Sequence, residues 1–328
     1  MKGVIGHAWA SQLLLDGLAA GRVSHATLFS GPPNIGKTTL ARAFAMALNC
    51  AGQPPLPCGE CNACRKAASG NYPDLHILDD PEQPLKIEQI RELLHELALS
   101  PYEGRWRVVI LCHFERATPE AANALLKTLE EPPPQVVLLL TATEADVLLP
   151  TIVSRCQVIN LRPLPITDVQ RALVEHWSAD ERQAELLAHL SGGRLGWAVT
   201  MLEDPSSLEW RTRILDELLA LRGKGRVERL AYAAALSGDE RQTRQARQEV
   251  SRVLELWLTW WRDVLLLASG SRAPLTNVDR LDSLRQVADQ VTLERARQMV
   301  AQLQFVLKIL DQNVNLRLAL DVVLLSMP

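Results

Sequence analysis

Eight residues of this chain, GPPNIGKT from Gly31 to Thr38, satisfy the pattern G-x-x-x-x-G-K-[ST] at every fixed position. An apolar run (residues 26–29) precedes them and a helix-forming run (residues 39–48) follows, the strand-loop-helix context that a phosphate-binding loop needs. Gly31 and Gly36 let the backbone turn its NH groups inward, and Lys37 brings positive charge to the β- and γ-phosphates. The Thr38 hydroxyl is a magnesium ligand in such loops, and Thr39 opens the helix behind them. ATP or ADP with magnesium is therefore the expected ligand; a plain glycine turn before a helix would not need the whole pattern. A second group follows at once: Cys50, Cys58, Cys61 and Cys64, with spacings of seven, two and two residues. Four thiolates close a tetrahedral shell and leave no place for water, so the spacing predicts a structural zinc site rather than a catalytic one. Disulfides are the alternative, which a reducing compartment disfavours. Cys112 and Cys156 lie in or beside apolar strands and read as small core residues.

The chemistry that would use the loop is missing. Hydrolysis needs an acidic pair at the end of a second strand, one carboxylate to orient the magnesium shell and one to polarise water. Here that strand reads RVVILCHFERAT, and counting back from the helical run AANALLKTLEEPP puts the two acidic positions on Cys112 and His113. A thiol is a poor magnesium ligand, and imidazole is a weak substitute for a carboxylate beside a metal-bound phosphate. Glu115 comes two residues later, a displacement of about 6–7 Å along an extended chain.

The elements that must position these groups are legible as apolar runs. Strands are expected at residues 26–30, 76–78, 107–112, 136–141 and 157–161, separated mostly by helical stretches, the signature of a parallel sheet covered on both faces. Pro163 and Pro165 mark a boundary, and Asp204-Pro205 a second one. The expected organisation is an α/β P-loop core with the cysteine module over residues 1–164, a small helical domain over 165–206 and an all-α domain over 207–328. Among the later helices, residues 254–267, with Trp257, Trp260 and Trp261, and residues 296–310 carry apolar side chains at spacings of three and four. The 328 residues exceed what one core usually serves, and they carry a net charge of −3. With a pI near 6.2, a surface that grips nucleic acid everywhere is excluded, although a local basic cluster at residues 222–226 remains. No charged-then-apolar leader is seen, and Arg262 and Asp263 interrupt the longest apolar stretch, so a cytoplasmic protein without a membrane span is expected.

The phosphate loop, the cysteine module, NALLKTLEEPP (residues 123–133), the Ser154-Arg155-Cys156 triplet and NVNLRLALDVVLL (residues 313–325) together resemble the AAA+ clamp-loader subunits of bacterial DNA polymerase III. The resemblance spans nearly the whole chain. It implies that Arg155 reaches into a neighbouring subunit's ATP site and stabilises charge on the γ-phosphate in trans. It implies a sensor threonine at Thr143, which as a residue type fits a turn equally well, and adenine contacts from Val4, Ile5 and His7. Active members carry an arginine in the lid segment, here SGGRLGWAV (residues 191–199); the position falls on Gly196, and Arg194 is two residues early. Lack of both the acidic pair and this arginine fits a subunit that does not hydrolyse ATP. Motor subunits, a clamp-opening subunit, the sliding clamp and, through the complex, primed DNA are the implied partners. The C-terminal helices would form an oligomerisation collar, and the tryptophans are either its core or its interface. The other reading is an active motor subunit rescued by His113 or Glu115.

Overall fold

The computed structural model describes residues 1–80, 83–238, 244–310 and 314–328, so Asn313 of the C-terminal motif lies outside the described residues. The chain divides into two compact units: residues 1–172 with 193–197, and residues 173–192 with 198–328.

The first unit contains α1 (Ala8–Ala19), β1 (Ala26–Ser30), α2 (Lys37–Leu48), α3 (Asn62–Ala68), β2 (Leu75–Leu78) and α4 (Ile87–Leu97). It continues through β3 (Arg107–Leu111), α5 (Pro119–Glu130), β4 (Val136–Ala142), α6 (Pro150–Val153) and β5 (Gln157–Asn160). All five expected strands are present, in the order β2-β3-β4-β1-β5, and every pair is parallel. Every residue of β1, β3 and β4 is buried, which explains why these strands read as unbroken apolar runs rather than alternating ones. Alternate side chains serve opposite layers. Leu28, Val109, Leu111, Leu138 and Leu140 pack with Ile90 and Leu93 of α4 and Leu125 and Leu129 of α5. Phe29, Val108, Ile110, Val137 and Leu139 pack with Leu14 of α1 and Leu40 and Phe44 of α2. The Thr118 hydroxyl accepts the Ala121 amide at 3.2 Å and Pro119 fills the first turn of α5, which fixes the start of that helix and hence where Glu130 emerges at its end.

Beyond the sheet come α7 (Ile166–Trp177), α8 (Glu181–Ser191), α9 (Leu195–Glu203), α10 (Pro205–Arg222), α11 (Arg226–Ser237) and α12 (Arg244–Ala268). The last three helices are α13 (Leu281–Gln290), α14 (Leu293–Ile309) and α15 (Leu316–Ser326). In the second unit Trp257, Trp260 and Trp261 of α12 are fully buried in one cluster with Leu215 and Leu218 of α10, Leu303 of α14 and Leu320 and Val323 of α15. The tryptophans are thus core residues. Arg211 stands in the same unit, its guanidinium bonded to Asp279 (2.8 and 2.9 Å) and to Asn277 (2.7 Å), while the Asp263 carboxylate accepts the amides of Thr276 and Asn277. Among the described residues no helix is long and apolar enough to cross a membrane.

Candidate nucleotide site, cysteine cluster and exposed arginine

The loop from Gly31 to Gly36 leaves β1 at the carboxyl edge of the sheet, where parallel α/β folds place their ligands. The Gly31 amide donates to the carbonyls of Ala142 and Thr143 at the end of β4, and the Leu161 amide donates to the Ser30 carbonyl. Gly31 has a φ of 150°, and a Cβ there would lie 2.5 Å from the Leu161 carbonyl oxygen, so the approach needs glycine. Gly36, also left-handed at φ 102°, starts α2, whose free amides face the loop. Lys37 is buried and donates to two carbonyls of its own loop, Gly31 at 2.5 Å and Pro32 at 2.8 Å. Burial lowers its pKa, and the negative field of Glu115 partly offsets that.

Two further contacts hold the loop. His7, left-handed at φ 50° and buried, sets its Nε2 3.0 Å from the Ile35 carbonyl, and burial lowers its pKa. The Gly196 amide, in the stretch of residues 193–197 that belongs to the same unit, donates to the Asn34 carbonyl at 2.9 Å. A Cβ on Gly196 would lie 2.8 Å from that same oxygen, so no side chain fits at the position where the resemblance expects an arginine. Arg194 instead lies against the Trp197 ring, 5.8 Å from its centroid. Val4 is half-buried against the α1/α2 side of the sheet, Ile5 is half-buried, and Thr39 is exposed.

Thr38 Oγ1 lies 3.7 Å from Cys112 Sγ, so the end of β3 does face the loop, as counting along the sequence indicates, but it brings a thiol. Burial pushes the Cys112 thiol up to about 11, Asp79 acting in the same direction, and sulfur is a poor ligand for magnesium, which takes oxygen. His113 is also left-handed (φ 53°); its amide donates to Thr141 Oγ1 at 3.1 Å and its Nε2 stands 3.8 Å from Asp79 Oδ1. Glu115 sits in a short turn after β3, and its Oε2 atom is buried without a hydrogen-bond partner. Asp79 at the tip of β2 escaped the sequence reading, because its proximity to Cys112 and His113 follows from β2 pairing with β3.

The four cysteines Cys50, Cys58, Cys61 and Cys64 converge, with all four sulfurs within 4.8 Å of one another. The Cys58–Cys64 and Cys61–Cys50 separations are both 4.0 Å, close to the roughly 3.8 Å edge of a tetrahedron with zinc–sulfur bonds of about 2.3 Å. Five amides point at these sulfurs: Gly52 and Cys58 at Cys50, Glu60 and Cys61 at Cys58, and Cys64 at Cys61, over 3.3 to 3.5 Å. Burial opposes ionisation of Cys61, but the amides of Cys64 and Ala51 and the neighbouring thiols outweigh it and bring its pKa to about 6. Burial pushes the Cys64 thiol up to about 12. The donor set therefore fits a metal ion held entirely by sulfur.

Arg155 occupies the turn between α6 and β5, its side chain about one-third exposed. Nη2 donates to Glu130 Oε1 at 2.7 Å, and Nη1 donates to the Thr151 carbonyl at 2.8 Å. Val147 and Leu149, just before α6, are exposed.

Over residues 6–165 the chain matches a family model described as DNA polymerase III, delta subunit. It is 29% identical over 309 residues to DNA polymerase III subunit delta' of Bacillus subtilis, covering 93% of this chain and 91% of that protein. The chain is thus similar to the DNA polymerase III clamp-loader subunits, over nearly its whole length in the case of delta'. It is also 36% identical over 206 residues to subunit tau of Escherichia coli, covering 61% of this chain but only about a third (32%) of the tau sequence. Among solved structures, a gamma subunit-related protein of Thermotoga maritima aligns over 95% of this chain and 97% of its own at 19% identity, with a TM-score of 0.43.

Proposed function

We propose that this chain is a clamp-loader subunit of the delta-prime type: it holds or senses nucleotide without hydrolysing it and supplies Arg155 to the ATP site of a neighbouring gamma/tau-like motor subunit. The observation that carries the reading is the pairing of Thr38 with the thiol of Cys112, where hydrolysis needs a carboxylate. Gly196, with no room for a side chain, supports it from the other side of the loop. The near full-length likeness to the delta-prime relative supports the type, and the partial exposure of Arg155, with Val147 and Leu149 exposed a few residues earlier in the chain, supports a role across an interface. ATP or ADP with magnesium is the proposed ligand of Gly31, Gly36, Lys37, Thr38 and Thr39, with Val4, Ile5 and His7 at the base and Thr143 as sensor. Zinc is the proposed ion on the four cysteines, where it would supply a structural cross-link.

The proposed domains are an AAA+ core over residues 1–164, a lid over 165–206 and a collar over 207–328. A collar is supported by Leu318, Val322 and Leu325, exposed at positions i, i+4 and i+7 of α15, and by exposed Phe305 on the adjoining α14. The partners would be motor subunits, a delta-like clamp-opening subunit, the sliding clamp and primed DNA, and the whole complex would load the clamp. A second reading, an active gamma/tau-like ATPase, draws on Glu115, whose field reaches Lys37 and whose Oε2 is buried and unpaired.

Steady-state ATPase measurements on the complex reconstituted with clamp and primed DNA separate the two. Arg155→Ala is expected to lower turnover by roughly a thousandfold, the scale of an arginine finger, and Lys37→Ala to leave it nearly unchanged. Loss of turnover in Lys37→Ala with Arg155→Ala unaffected would sink the silent-donor reading and favour the active one.

A further inference from the structure

We propose that Glu130 is a counter-ion latch for Arg155: it holds the guanidinium until a neighbouring subunit's nucleotide displaces it, and so sets the nucleotide affinity of that neighbour. The inference rests on the trans role of Arg155. Glu130 is the last residue of α5 and Arg155 follows α6, so the two meet only because α5 ends beside the turn that leads into β5. The contact is a single charge-assisted hydrogen bond of 2.7 Å from Nη2 to Oε1. Nη1 is held separately by the Thr151 carbonyl at 2.8 Å and lies 3.5 Å from Ser154 Oγ, and none of these contacts uses Nε.

This geometry has two parts with different strengths. The Thr151 carbonyl is neutral and belongs to α6, the short helix just before Arg155, so it fixes where the guanidinium sits without neutralising it. Glu130 is charged, and its side chain is 52% exposed against 34% for Arg155. An ion pair this wet shifts an equilibrium by only a small factor and yields to a stronger anion. A triphosphate carries more charge than one carboxylate, and an interface closing over Arg155 excludes the water that screens the pair. Arg155 can therefore keep its place on Thr151 while exchanging Glu130 for phosphate oxygens. While the exchange has not occurred, a carboxylate 2.7 Å away cancels most of the field that the arginine would project.

The test uses the reconstituted complex with Glu130→Gln, which keeps the side-chain length and removes the charge. Binding of a fluorescent, non-hydrolysable ATP analogue and the KM for ATP should both tighten by roughly two- to fivefold, the factor set by one exposed ion pair, with kcat within twofold of wild type. The difference should shrink as ionic strength rises from about 0.05 to 0.3 M, and the tightening should vanish when Arg155→Ala is also present. An affinity equal to wild type, or a tightening that persists in the Arg155→Ala background, overturns the latch. Turnover that survives Arg155→Ala alone overturns the trans role itself, so the two failures are distinct.

Discussion

Around the phosphate loop, the two positions at the end of β3 where hydrolysis would need an acidic pair carry Cys112 and His113. The thiol of Cys112 lies beside Thr38 and the ring of His113 faces Asp79, so neither of these two side chains presents a carboxylate to the loop. Cys112→Asp should therefore raise the magnesium dependence of nucleotide binding, read by titration calorimetry with and without the metal, while turnover stays undetectable because no base is added at His113. Gly196→Arg is expected to fail as a restoration: its Cβ would press on the Asn34 carbonyl, and overpacking of this kind costs about 1–3 kcal/mol in denaturant unfolding. An arginine variant as stable as the parent and newly active would contradict this. The loop motif and the missing acids were legible in the sequence, since each is a matter of spacing within one segment, and the significance of the glycine came through the family resemblance. Glu130 and Asp79 were not, because each meets its partner only through the order in which strands and helices are laid side by side.

The cysteine module is held together by amides aimed at sulfur, and its last two thiols are driven in opposite directions, Cys61 to about 6 and Cys64 to about 12. A metal binding all four must take them as thiolates, so loading releases protons and acid competes with the ion. The metal content, expected at one zinc per chain by elemental analysis, should hold at pH 8 and fall on acidification towards pH 5, with release followed by a colorimetric chelator. Retention of full occupancy at low pH, or none at pH 8, would contradict the assignment. Cys61→Ser should weaken retention at every pH. The strands were readable because buried parallel strands are apolar on both faces. The tryptophans of α12 were not assignable from periodicity, which marks an apolar face but not whether that face meets the chain's own helices or another molecule; α10, α14 and α15 supply the answer.

For the molecule as a whole, the exposed stripe of α15 contrasts with the buried face of the same helix, where Leu316, Leu320, Val323 and Leu324 sit in the core. Leu318→Glu with Val322→Glu should leave the monomer's melting temperature within a few degrees of the parent, because nothing buried is lost, yet abolish assembly with the other subunits in size-exclusion chromatography. Assembly that survives the double change would remove this face from the collar. The division of the chain into units also bears on how it can be cut. Residues 193–197 belong with the sheet although residues 173–192 do not. No single break in the backbone therefore separates the two units, and a fragment ending at residue 172 would keep every letter of the phosphate-loop motif while losing the Gly196 amide that ties Asn34 in place. Nucleotide affinities measured on such a fragment would describe an untied loop rather than the one this chain possesses.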